Sequence, residues 1–103
     1  MAWRDAAALD VAGAAKPWLP LSIGGLDIVV AHTDGGWFAV EDRCTHAGCA
    51  FSEDAQLHGL EIVCSCHGSE FDIRTGAVQR GPAERPVRTI PIRVAGDRLE
   101  VDL

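Results

Sequence analysis

The sequence predicts a small all-β protein, built as an antiparallel sandwich or barrel. Three observations indicate this fold class: short runs of β-branched and aromatic residues recur along the chain, glycine-containing turn signals separate them, and helical periodicity is nearly absent. The chain has 103 residues, which is the size of one domain. We therefore expect a single domain over residues 1–103, with its chemistry on loops between strands.

The strands are predicted from runs that are apolar or alternate apolar with polar residues. Five runs share this character: residues 26–31, 37–40, 60–63, 88–94 and 98–102. The glycine pair after Asp34 predicts a hairpin turn between the first two strands. Pro91 lacks a backbone N–H, so the fourth strand is expected at a sheet edge or with a bulge.

The alanine-rich stretch over residues 6–15 is the one place where a helix is considered. Gly13 lies inside it and Pro17 follows it closely, so a helix there would end quickly. The sequence therefore predicts a short turn or an edge strand in this stretch rather than a long helix.

Charge and hydropathy exclude several classes of function. The formal net charge is −6, and an acidic chain repels the phosphate backbone of nucleic acids. Asp5 and Asp10 interrupt the apolar N-terminal residues, and no run approaches the roughly 20 apolar residues of a membrane span. We expect a cytoplasmic protein that binds neither nucleic acid nor a membrane.

The four cysteines are clustered between Cys44 and Cys66, which indicates a single site. In a reducing compartment such clustering favours metal binding over a disulfide framework. Two motifs combine a cysteine with a histidine: Cys44 with His46, and Cys64 with His67. Each offers one thiolate and one imidazole, which are ligands for zinc or for an iron–sulfur cluster.

The mixed ligand pairs favour the cluster over zinc. Zinc sites with two cysteines and two histidines usually pair C-x(2–4)-C with H-x(3–5)-H. Here each loop carries one ligand of each kind, and a two-iron cluster explains the mixture because each loop can reach both irons. A structural zinc module that binds a partner protein stays open as the alternative.

The motifs and their flanks resemble Rieske [2Fe–2S] ferredoxins. Residues 37–43 are similar to the strand that enters the first cluster loop, residues 71–76 to the hairpin after the second, and residues 81–83 to the proline loop over the cluster. The resemblance covers residues 26–103. It implies a Rieske-type fold with two cluster-binding loops and one Rieske-type [2Fe–2S] cluster.

The resemblance also implies which residues bind each iron. Cys44 and Cys64 would bind one iron, and His46 and His67 would bind the other and face solvent. Two neutral imidazoles replace two thiolates in such centres, which raises the potential above that of plant-type ferredoxins.

Three further residues receive roles from the resemblance. Ser69 would donate a hydrogen bond to a cluster sulfide, and Pro82 would belong to the covering loop. Phe71 stands where high-potential respiratory members carry a tyrosine that bonds a cysteine sulfur. The chain contains no tyrosine, so we expect a potential below that of the respiratory class.

Cys49 and Cys66 stand where respiratory Rieske proteins have a disulfide between the two cluster loops. We expect the same bridge here. The alternative is two buried free thiols, since cytosolic proteins are usually reduced.

The function implied by the resemblance is a soluble electron carrier without a catalytic site. It would carry single electrons from an NAD(P)H-dependent flavin reductase, the ferredoxin reductase, to a terminal oxygenase of an aromatic-ring-hydroxylating dioxygenase system. We expect a monomer that docks briefly over the His46 and His67 loops. Acidic residues near these loops are a candidate docking rim: Glu41, Asp42, Glu53, Asp54 and Glu70. The alternative is a Rieske subunit of a nitrite reductase or respiratory complex, which the paired Cys49 and Cys66 would favour.

Overall fold

The computed structural model describes residues 2–15, 17–45 and 48–103. Two short helices are present in these residues: α1 (Leu9–Ala14) and α2 (Phe51–Asp54). The strands, in chain order, are β1 (Trp3–Ala8), β2 (Leu19–Ile23), β3 (Leu26–Thr33), β4 (Gly36–Glu41), β5 (Ala55–His58), β6 (Glu61–Cys64), β7 (Glu70–Asp72), β8 (Val78–Arg80), β9 (Thr89–Ile90), β10 (Ile92–Ala95) and β11 (Arg98–Asp102). The predicted all-β class is confirmed.

The strands form three antiparallel sheets. One has the order β1-β11-β10, the second β2-β3-β4-β9, and the third β5-β6-β7-β8. We call the third the cluster sheet, because the loop with Cys64 leaves the end of β6 and returns in β7.

The sheet that contains β3 and β4 is the middle layer between two hydrophobic cores. On β3, Ile28 and Val30 face one core and Val29 and Ala31 face the other, as expected because successive side chains of a strand point to opposite faces. All four are nearly inaccessible to solvent. This explains why residues 26–31 form a continuous apolar run rather than an alternating one.

The hairpin between β3 and β4 has the predicted turn. Thr33 pairs with Gly36, which leaves Asp34 and Gly35 as a two-residue loop with φ angles of 51° and 77°. Two-residue hairpins favour turns with positive φ at both central positions, and aspartate followed by glycine tolerates them best. The turn places β4 so that its end leads directly into the first cysteine loop.

The predicted strand over residues 88–94 is two strands in two different sheets. Thr89 and Ile90 pair with β4 in the middle sheet, whereas β10 begins at Ile92 and pairs with β11. Pro91 lies at the transition and accepts a hydrogen bond from the Asp102 N–H through its carbonyl oxygen. Proline cannot donate to a ladder, so it is tolerated at this crossing.

The alanine-rich stretch forms the end of β1 and the helix α1. Residues 6–8 belong to β1, which is at a sheet edge, as predicted. Residues 9–14 instead form a helix, although it has only six residues. The Leu9 N–H bonds to the Asp97 carbonyl, which ties the start of the helix to the turn before β11. Over the described parts of the chain, no helix has the length and apolar character to cross a membrane.

An aromatic core lies beneath the cluster sheet. Phe51 and Phe71 are fully buried and meet edge to face, with ring centroids 5.8 Å apart. Trp18 stacks on Phe51 and donates its indole N–H to the Ala55 carbonyl at 3.3 Å. Buried aromatic rings contribute a large apolar area and a fixed geometry. This core therefore provides a rigid support for the loops above it.

Candidate metal centre

The two cysteine loops share one backbone hydrogen-bond pattern. In the first, the Cys44 N–H bonds to the Cys49 carbonyl and the Cys44 carbonyl accepts from the Gly48 N–H, at 2.8 and 2.9 Å. In the second, Cys64 makes the corresponding bonds with Ser69 and Gly68, again at 2.8 and 2.9 Å. Each loop thus turns tightly around its first cysteine, which fixes both cysteines in the same manner.

The thiols of Cys44 and Cys64 meet between the loops. Both residues are only 1% exposed, and neither is part of a disulfide. Burial raises the pKa of the Cys64 thiol above its usual value, and the neighbouring Cys44 thiol raises it further. The backbone N–H groups of Cys66 and His67 point to the Cys64 sulfur and oppose this rise. Those N–H groups are placed to stabilise a thiolate.

The predicted histidine ligands follow the two cysteines. His67 is exposed and lies in the second loop, three residues after Cys64. His46 lies outside the described residues, so its predicted position as a ligand stays an expectation. The structure brings Cys44 and Cys64 together and leaves His67 at the solvent side of the same loop.

This donor set fits a Rieske-type [2Fe–2S] cluster. Two buried thiols on separate loops, in contact and unbridged, are the donors that one iron of such a centre needs. A solvent-facing imidazole in the same loop suits the second iron. The low exposure of the cysteines also limits water at the sulfur side of the site.

The other two cysteines form a disulfide, as the resemblance implied. Cys49 and Cys66 link the two loops across 17 residues of sequence. The Asp54 carboxylate approaches both sulfurs, all three ligand atoms lying within 4.8 Å of one another. Because the sulfurs are bonded to each other, this group is not a metal site while the bridge is intact.

Ser69 connects the second loop to the predicted covering loop. It is fully buried, and its hydroxyl oxygen accepts a hydrogen bond from the Ala83 N–H at 3.0 Å. A hydroxyl can accept and also donate, so this contact leaves its single proton for a further bond. The geometry is compatible with the predicted donation to a cluster sulfide and adds a contact that the sequence did not reveal.

Replacing Ser69 with alanine should lower two measurable quantities, the free energy of unfolding and the midpoint potential of the cluster. Loss of the acceptor for the Ala83 N–H is expected to lower the free energy of unfolding by about 1–3 kcal/mol. Loss of the donated bond is expected to lower the midpoint potential by about 60 mV, the equivalent of ~1.4 kcal/mol for one electron. Denaturant unfolding and protein-film voltammetry measure the two effects separately.

Ser65→Ala is the matched control, since Ser65 is exposed and lies in the same loop. It should change neither quantity. An unchanged potential in Ser69→Ala would refute the predicted donation, and an unchanged stability would refute the role of the Ala83 contact.

Phe71 and Pro82 differ in their exposure to solvent. Phe71 is fully buried in the aromatic core and has no hydroxyl to offer a cysteine sulfur, as expected from the sequence. Pro82 is exposed, and its peptide bond with Gly81 is cis. The neighbouring Ala83 is buried and bonded to Ser69, so the covering loop is held at this point.

Two side-chain contacts near the loops were missed by sequence reasoning. The Asp42 carboxylate accepts from the backbone N–H and the hydroxyl of Ser52, at 2.9 and 2.6 Å, and so holds the start of α2. The Thr45 hydroxyl donates to the Arg85 carbonyl at 2.6 Å. Neither spacing follows a local pattern, so only the folded chain reveals them.

Comparison with known proteins identifies relatives over nearly the whole chain. The family model of the Rieske [2Fe-2S] domain matches residues 4–91. The ferredoxin component of the p-cumate 2,3-dioxygenase system of Pseudomonas putida is 39% identical over 79 residues, which are 77% of this chain and 67% of that protein.

Solved structures also resemble this chain over nearly its whole length. The ferredoxin of carbazole 1,9a-dioxygenase from Nocardioides aromaticivorans IC177 superposes with a TM-score of 0.85 at 28% identity, covering 98% of this chain and 97% of that one. A solved complex of reduced oxygenase and oxidized ferredoxin in carbazole 1,9a-dioxygenase matches with a TM-score of 0.84 at 25% identity, over 96% of this chain and 91% of the matched chain.

Proposed function

The chain belongs to the Rieske [2Fe–2S] domain family, and from this membership we propose that it is the ferredoxin of an aromatic-ring-hydroxylating dioxygenase system. Its Rieske-type cluster supplies reversible one-electron transfer when bound. The protein would receive electrons from an NAD(P)H-dependent flavin reductase and deliver them to the terminal oxygenase. It has no catalytic site of its own.

This proposal rests on the contact between the Cys44 and Cys64 thiols. They are two buried, unbridged thiols on two loops with the same hydrogen-bond pattern. We propose these cysteines as ligands of one iron and His46 and His67 as ligands of the other. The family membership supports a cluster over the structural zinc module considered from the sequence.

The residues around the site give it an inner side and an outer side. Cys44 and Cys64 are held in the interior, where the N–H groups of Cys66 and His67 stabilise negative charge on the Cys64 sulfur. His67 lies at the exposed side, where a docked partner can come close. An electron would therefore enter and leave at the histidine side, without rearrangement of the core.

The proposed partners follow from relatives. The p-cumate relative is named as the ferredoxin component of a dioxygenase system, which supports a separate electron donor upstream. The solved complex of oxygenase and ferredoxin in carbazole 1,9a-dioxygenase supports docking to the acceptor. We further propose a monomer that works in the cytoplasm, where its net charge of −6 favours solubility.

Reconstitution tests this function. The purified protein should be red-brown, should contain about two irons and two labile sulfides per chain, and should give a rhombic paramagnetic signal after reduction. With NADH, a ferredoxin reductase and an aromatic-ring oxygenase, product formation should require this protein and rise with its concentration.

Two results would contradict the proposal. One is a colourless, folded protein that contains stoichiometric zinc, since zinc has no redox chemistry. The other is a cluster-containing protein that is reduced chemically but transfers no electrons to any oxygenase tested.

A further inference from the structure

A polar cavity lies beside the first cysteine loop. Its volume is about 320 Å³, and it opens between the end of β4, the loop at Thr45 and the segment before β9. Six residues line it: Glu41, Arg43, Thr45, Arg85, Pro86 and Arg88. Three of the nine cationic residues of the chain are therefore gathered at the proposed metal end of an acidic protein.

Among the described residues, the three arginines of the cavity have no carboxylate partner, and in this they resemble Arg4. Arg74, Arg80, Arg93 and Arg98 each form an ion pair with an aspartate or glutamate. Within residues 2–15, 17–45 and 48–103, no ion pair involves the arginines of the cavity. Glu41 lines the same cavity, but it is not within ion-pair distance of them. Their charges are therefore available to a second molecule.

The predicted acidic rim, by contrast, is partly engaged within the chain. The Asp42 carboxylate holds Ser52 through two hydrogen bonds, and Glu70 pairs with Arg80 at 3.5 Å. The side of the metal end at Thr45 is therefore basic, although the chain as a whole is acidic. Such a local reversal of charge orients an approaching partner.

The backbone fixes the positions of these arginines. The Arg85 carbonyl accepts the Thr45 hydroxyl at 2.6 Å, the Val87 N–H bonds to the Gly76 carbonyl at 2.8 Å, and the Arg88 carbonyl accepts the Glu41 N–H at 2.9 Å. A Cβ added at Gly76 would overlap the Val87 carbonyl oxygen, so this segment is packed directly against the hairpin after β7. The segment is held in place before a partner arrives, which reduces the entropic cost of docking.

We propose that the cavity formed by Arg43, Arg85 and Arg88 is a docking site for carboxylates on the surface of the terminal oxygenase. This inference rests on the proposed function and specifies the chemistry of its acceptor. Guanidinium groups bind carboxylates through paired hydrogen bonds, which fixes the orientation of the partner as well as attracting it. The contact would bring the acceptor against the loop that contains Thr45, next to the proposed cluster ligands.

An acidic protein surface fits better than a small anion. All three arginines are exposed, so a small anion bound to them would stay largely in water, where ion pairs are weak and screened by salt. A protein surface excludes that water over a wider area and adds contacts around the cavity.

Charge reversal of single arginines tests the site. Reduced ferredoxin would be mixed with oxygenase in a stopped-flow instrument, and the rate of its oxidation followed at increasing oxygenase concentration. In Arg85→Glu and in Arg88→Glu, the second-order rate constant at low salt should fall about fivefold or more. The loss should shrink in about 0.5 M salt, where the charges are screened. Arg85→Lys keeps the charge but not the paired hydrogen bonds, so its rate should fall less than that of Arg85→Glu.

Arg4→Glu is the matched control, because Arg4 is exposed on β1 in a different sheet and the net charge changes equally. It should have little effect. The spectrum and midpoint potential should be unchanged in every variant. If Arg85→Glu fails to fold, Arg85→Gln gives the same comparison with a smaller expected loss.

The outcomes separate this inference from the proposed function. Equal losses in Arg85→Glu and Arg4→Glu would overturn the docking site, because only total charge would matter. A loss confined to reduction by the reductase would also overturn it. If unmodified ferredoxin transfers no electrons to the oxygenase, the carrier function itself fails and this inference with it.

Discussion

Cys64→Ser is expected to abolish cluster binding. Iron and labile sulfide should fall from about two each per chain to near zero, and the visible absorption should disappear. The reason is that Cys64 is a buried donor in contact with Cys44. A serine hydroxyl is a far poorer ligand for iron than a thiolate, and no other unbridged sulfur is present among the described residues.

The same loss is expected in Cys44→Ser, and the double variant should be no worse than either one. This non-additivity follows if both thiols are needed for one centre. Metal analysis, absorption and circular dichroism of the three proteins would measure it. The backbone bonds of Cys64 with Gly68 and Ser69 do not involve its side chain, so the fold of the loop should tolerate the change.

The matched control is the double variant Cys49→Ser/Cys66→Ser, which removes two sulfurs from the same pair of loops. It should assemble the cluster, because those sulfurs are bonded to each other. Retention of iron in Cys64→Ser, or equal loss in this control, would show that the proposed ligands are wrongly assigned.

The sequence predicted those parts of the fold that depend on neighbours along the chain. The hairpin with Asp34 and Gly35 at its turn is local, so the order of residues in this short stretch is enough to identify it and its two strands. Only residues 6–8 of β1 lay in the stretch predicted as a turn or an edge strand, because the partner of β1 is β11, at the other end of the chain. Arg98 pairs with Asp5 across 93 residues of sequence, and no local pattern reports such a contact.

The candidate site also combines features that are visible in the sequence with contacts that form only on folding. The ligand motifs are local, so their cysteines and histidines are visible in the sequence. The contacts that hold them are not: Ser69 meets Ala83 across 14 residues, and Thr45 meets Arg85 across 40. The sequence did not indicate the arginine cavity, because residue 43 is far along the chain from residues 85 and 88 and becomes their neighbour only in the folded protein. The charges of residues close to the ligands in sequence therefore did not predict the charge of the surface close to them in the folded protein.

The disulfide between Cys49 and Cys66 is expected to contribute a large part of the stability. It joins the two loops across 17 residues, and the chain-entropy model assigns about 3 kcal/mol to closing a loop of this length. A domain of about 100 residues buries limited apolar area, so a cross-link matters more than in a larger protein. The cross-link also holds the two proposed ligand loops against each other.

Cys49→Ser/Cys66→Ser should therefore unfold at a lower denaturant concentration, with a free energy of unfolding reduced by about 3 kcal/mol and a Tm lower by roughly 12–24 °C. Both cysteines are replaced so that no single thiol remains to form other bridges. The variant should also release iron faster on warming, because its loops separate more readily. Calorimetry and absorption on the same samples measure both quantities.

Chemical reduction supplies an independent check on that result. Treating the unmodified protein with a phosphine reductant should lower its Tm toward that of the double variant, and the double variant should not respond. The size of this response measures how much stability the bridge contributes under reducing conditions. If the reduced and oxidised proteins melt together, the bridge contributes nothing to stability, and the loops must be held by the cluster and by the Ser69 and Thr45 contacts alone. If the two proteins differ by the expected amount, the bridge supplies that stability, and the reduced protein should also release iron faster on warming.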